Sequence, residues 1–103
     1  PDIQAFFGIN DPTALGIIAV LKAANRVGKV NVYGVDGSPD AKLAIKEGSM
    51  RTTAAQSPVS MAKLTKEVTE KFLKGESSEN LTLIPTFLID ENNVDKYGTD
   101  GWQ

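Results

Sequence analysis

Cysteine and histidine are both absent from the 103 residues. Their absence removes disulfides, thiol nucleophiles, imidazole bases and most transition-metal sites together. No metal or other cofactor is expected. No apolar stretch approaches the length that spans a bilayer. The 11 basic and 13 acidic side chains are scattered, for a formal net charge of -2. With no run of Lys or Arg, nucleic acid and anionic membrane surfaces are not expected partners. The opening Pro1-Asp2-Ile3-Gln4 has neither an initiator Met nor a basic leader and reads as part of something longer. The length suffices for one modest core.

What is present alternates regularly. Ile3 to Ile9 is an apolar run of strand length ending at Asn10-Asp11-Pro12, where Asp11 suits a helix cap and Pro12 a first helical position. The helix that follows, to about Ala24, is apolar enough to expect cover on more than one side. Val30 to Val35 reads as the central strand, ending on Asp36-Gly37-Ser38-Pro39 and a helix to about Glu47. Met50 to Gln56 is a third strand, ending at Ser57-Pro58, a third cap-then-proline signal. Met61, Leu64, Val68 and Phe72 then mark an amphipathic helix stopping at Gly75, and Met61, Phe72, Phe6 and Phe7 are read as core. Leu81 to Ile89 is a fourth strand, confined to an edge, a bulge or a crossing by Pro85.

This order gives an α/β fold, a parallel sheet with helices on both faces and right-handed connections. Asn10, Asp36 and Gln56 then fall at three carboxyl strand ends on one sheet edge, where such folds bind ligands. Singly, each has a structural reading: Asn10 as a cap, Asp36 in an Asx-type turn, Gln56 as a solvated strand end. Their repetition favours a cleft offering two amides and a carboxylate, a set of donors and acceptors suited to a polyhydroxylated ligand.

Phe7-Gly8-Ile9-Asn10-Asp11-Pro12-Thr13-Ala14-Leu15-Gly16, Tyr33 to Gly37, Ala44 to Gly48, Ala54 to Pro58 and Asn93 to Tyr97 together resemble the C-terminal part of ribose-type periplasmic sugar-binding proteins. The resemblance implies a type I fold of two lobes that close on a monosaccharide and present it to the membrane permease of an ABC importer. It implies a periplasmic or cell-surface-tethered location and sugar contacts by Asn10, Asp36 and Gln56. It places residues 1–56 in the C-terminal lobe, 57–80 against the N-terminal lobe, and 81–103 in the hinge return and tail. The remaining N-terminal part of the protein, or a second copy, is then a required partner. Trp102 reads as a packing residue or part of an unordered tail, with stacking on a sugar ring as the alternative.

A second family, the effector-binding bodies of lactose-repressor-type regulators, shares the fold. This chain departs from it in the short Arg26-Val27-Gly28-Lys29 link and in Thr52-Thr53-Ala54-Ala55-Gln56. An enzyme is not expected, because one strand-end carboxylate without histidine provides no acid–base pair.

Overall fold

In the computed structural model, which describes residues 2–77 and 79–103, the first three strands are parallel neighbours. They are β1 (Ala5–Phe7), β2 (Asn31–Asp36) and β3 (Thr52–Ala55). They are joined by helices α1 (Asp11–Ala23) and α2 (Pro39–Lys46). Helix α3 (Pro58–Leu73) leads to β4 (Phe87–Asp90), which pairs with β3 antiparallel, and a short 3₁₀ turn follows at Val94–Lys96.

The antiparallel β4 corrects the all-parallel expectation, and its cause is local. A parallel partner requires the connection to carry the chain back along the sheet. Helix α3 instead leaves β3 without packing on the sheet and buries none of its residues. The chain therefore re-enters the sheet from the end where β3 left it. The strand expected over Leu81 to Ile89 is reduced to its last part, with Pro85 outside the ladder. β1 and β3 are also shorter than their apolar runs suggested.

The two crossovers step in the same direction along the sheet, so right-handed connections put α1 and α2 on the same face. They pack together there. Beneath them lies the core: Ala14, Ile18 and Leu21 of α1, Ala41, Ala44 and Ile45 of α2, and Val32, Ala55 and Ile89 from the sheet. Each fully buried Val, Leu or Ile side chain contributes roughly 1.5–3 kcal/mol, and each alanine methyl roughly 0.8. Strand residues that alternate away from this face are more open, and Phe7 and Leu88 remain 71% and 61% exposed. Phe7 is thus not core in this chain, nor is Met61 or Phe72, both exposed on α3. Helix α1 is covered on one side only, with Val20 exposed. The apolar pattern was real, but these faces have no cover among the described residues.

All three helices end alike. Asn25, Gly48 and Gly75 take positive φ, and the next residue's N–H reaches back to Leu21, Ala44 and Lys71 respectively. These are Schellman ends, which satisfy carbonyls the helix leaves free. The starts follow expectation in part. Ser38 caps α2 through its hydroxyl, as its place before Pro39 suggested, and Asn10 rather than Asp11 caps α1. Ser57 makes no side-chain cap on α3.

Candidate functional site

The site begins with a residue that sequence reasoning assigned to a cap. Asp11 sits in the first turn of α1 with no exposed surface. Its Oδ2 accepts from the Ser38 backbone N–H at 2.7 Å, and its Oδ1 accepts from the Thr53 hydroxyl at 2.7 Å. The Thr53 Oγ1 in turn accepts from the Gly37 N–H at 3.1 Å. One buried carboxylate thus holds the turn after β2 from below and joins it to β3. The positive end of α1 favours the charge at that place. Gly34 leaves the room: a Cβ there would overlap the Asp11 carboxylate.

The turn so braced carries Asp36. Its φ is +126°, a conformation uncommon for a residue with a side chain. Backbone held in such a region marks a position whose surroundings over-determine it, and such positions cluster at ligand sites. Gly37 follows at φ +77°, where glycine carries no Cβ penalty. Gln56, at the end of β3, grips Asp36 twice. Its N–H donates to the Asp36 carbonyl at 3.0 Å, and its Nε2 donates to the Asp36 Oδ1 at 2.7 Å. The structure therefore brings two of the three expected site residues into direct contact.

Asn10 stands at the same sheet edge but is not among the residues lining the cleft beside that pair. Its Oδ1 accepts from the Thr13 N–H at 2.9 Å as the cap of α1. Capping engages the carbonyl and leaves the amide's own donors as a separate resource.

The cleft has a volume of about 510 Å³ and opens over Asp36 and Gln56, with apolar walls from Val59, Met61 and Trp102. Polar groups at one end of a mostly apolar recess are the usual make-up of a small-molecule site. Trp102 arrives there because the segment after the 3₁₀ turn is fastened. Lys42, wholly buried on α2, donates from Nζ to the Gly101 carbonyl at 2.6 Å and to the Gln103 Oε1 at 3.1 Å. Gln103 then donates from Nε2 to the Gln56 carbonyl at 2.7 Å. Burial pushes the Lys42 ammonium below the ordinary lysine range, and the Asp100 charge opposes this. Phe87 and Tyr97 stack at 5.1 Å between ring centroids and hold the start of the same segment.

Residues 1–77 match the family described as periplasmic binding protein domain. The chain belongs to that family. Among curated relatives, the ribose import binding protein of Salmonella typhimurium is 43% identical over 76 residues, 74% of this chain and 25% of the relative. The ribose import binding protein of Bacillus subtilis is 40% identical over 86 residues, 82% of this chain and 27% of the relative. Among solved structures, an ABC transporter periplasmic solute binding protein from Actinobacillus succinogenes with bound D-allose superposes at a TM-score of 0.91. It is 28% identical, over 94% of this chain and 34% of that one. A solute binding protein from Bacillus halodurans with bound myo-inositol gives 0.88 at 33% identity, over 94% of this chain and 33% of that one. The chain therefore spans about a quarter to a third of the length of its relatives. The α/β class and the two-lobe fold that the motifs implied agree with these neighbours.

Three members of the cluster escaped the sequence reading. Asp11 carried a signal, since a carboxylate directly before a proline at a helix start also lies at a strand end facing its neighbours. Lys42 and Gln103 carried none, because 61 residues separate them and only the folded tail joins them.

Proposed function

We propose that the full-length protein is a receptor that binds a monosaccharide between two lobes and delivers it to the permease of an ABC importer. The observation that carries this is the Asp36–Gln56 pair, joined at 2.7 Å at the carboxyl ends of adjacent parallel strands and facing a cleft. A carboxylate there accepts from neighbouring sugar hydroxyls, each charge-assisted bond contributing roughly 1.5–3 kcal/mol net. Gln56 orients that carboxylate and adds donors and an acceptor of its own. Asn10 completes the polar edge through its amide N–H groups.

The names of the relatives support import rather than gene regulation, and binding rather than catalysis, for this chain. They also support a periplasmic location for the whole protein, and tethering at the cell surface belongs to the same proposal. In this reading, residues 1–56 belong to the C-terminal lobe, 57–80 pack on the N-terminal lobe, and 81–103 form the return and tail. The exposed stripe of α3 and the antiparallel entry of β4 support that division, since both are what a chain crossing to a second body and back would leave. A sugar touching both lobes favours the closed form by its differential affinity, and closure marks the loaded state for the permease.

Calorimetric titration of the full-length protein with D-ribose, D-allose and myo-inositol tests the proposal. Saturable binding of at least one is expected. Binding of none of the three would overturn it.

A further inference from the structure

The Asp36–Gln56 edge supplies the polar end of the cleft, and one wall at its mouth is aromatic. Trp102, the sole tryptophan of these 103 residues, is 50% exposed and lines the same cleft as the pair. We propose that the Tyr97–Gln103 segment is part of the ligand site and that Trp102 stacks its indole on the C–H face of a bound sugar ring. The proposal rests on the reading of Asp36 and Gln56 as sugar ligands.

A monosaccharide has two kinds of surface. Its hydroxyls lie around the edge of the ring, and its C–H groups form an apolar, weakly positive face. An indole face is apolar and weakly negative, which matches the second surface. Carboxylate and amide match the first. A cleft offering both, with Val59 and Met61 completing an apolar wall, suits a ring held by its edge and covered on its face.

The indole is held in place before any ligand arrives. Lys42 ties the backbone at Gly101, one residue before Trp102, and the side chain of Gln103, one residue after it. Gln103 also bonds to the Gln56 carbonyl, so the aromatic wall and the polar edge share an anchor. A platform fixed in this way loses little freedom on binding. Lys42 and Gln103 are accordingly positioning residues that act through Trp102.

The test uses the full-length protein, titrated with D-ribose, D-allose and myo-inositol, with Asp36→Ala as a control for the site itself. Trp102→Ala is expected to weaken the tightest of these by about tenfold, and Trp102→Phe by about threefold or less. Saturating sugar should shift the emission of wild type but not the same bands of Trp102→Phe. Lys42→Met and Gln103→Ala should weaken binding in wild type, yet add nothing in a Trp102→Ala background, a coupling that general destabilisation would not produce. Full affinity in Trp102→Ala alongside lost affinity in Asp36→Ala would overturn the proposal and leave the site reading standing. Unchanged affinity in both variants, or no binding by wild type, would overturn the site reading and the proposal with it.

Discussion

Helices α2 and α3 begin with the same signal and end with the same motif, yet they meet opposite fates. Each follows a strand end, opens Ser-Pro, and closes on a glycine with positive φ. Helix α2 buries Ala41, Lys42, Ala44 and Ile45. Helix α3, twice as long and with a clear apolar stripe, buries none of its residues, and Phe72 is 70% exposed. Local sequence therefore decides where a helix starts, where it stops and which face is apolar. Whether that face is covered depends on what stands opposite. For α2 the partner is the sheet of this chain; for α3 it is expected in the other lobe.

The largest effect should come from cutting the brace that holds the α2 side of this comparison together. Asp11→Ala would leave the Ser38 N–H and the Thr53 hydroxyl buried without their acceptor, at roughly 1–3 kcal/mol each. Denaturant unfolding of the full-length protein should show a loss of about 3 kcal/mol, whereas a loss below 0.5 would place Asp11 in water. Next, Phe72→Ala sharpens the α3 side. If the other lobe covers the stripe, the full-length variant should lose up to about 3 kcal/mol, the low end of what truncating a fully buried aromatic costs, because a face between lobes is covered less completely than a core. A neutral result would mean that α3 stands alone there as well. The smallest effect concerns pH. Because burial lowers the Lys42 pKa, the folded protein releases that proton at lower pH than the unfolded chain does. The unfolded state then binds more protons just below the ordinary lysine value, and stability should rise with pH across that window. Lys42→Met should lack this rise when unfolding midpoints are compared over the same range; an equal rise in the variant would assign it to other groups.

The alternation of strands and helices, the helix ends and the strand-end positions of Asn10, Asp36 and Gln56 were legible because each follows from short-range chemistry. The Ser38-Pro39 start of α2 and the stop of α3 at Gly75 needed no partner to be read. The errors arose where distance in the chain mattered. Asp11 looked like a cap because its acceptors' partners, Ser38 and Thr53, lie 27 and 42 residues away. Phe7, Met61 and Phe72 looked like core because periodicity reports an apolar face and not its cover. The direction of β4 did not follow from the alternation of elements, which treats every helix as a crossover over the sheet; only the family resemblance sent residues 57–80 elsewhere. Helix α3 carries the chain off the sheet.

The most direct measurement is calorimetry of Asp36→Asn in the full-length protein. Asparagine has nearly the shape of the aspartate already held at this φ and keeps an acceptor for Gln56, so the change removes charge with little disturbance of shape. If Asp36 accepts two sugar hydroxyls, replacing charged bonds with neutral ones should cost about 2 kcal/mol, or about thirtyfold in affinity, with unfolding unchanged. Affinity within about threefold of wild type, in a variant that folds normally, would contradict the assignment of this edge as the sugar site.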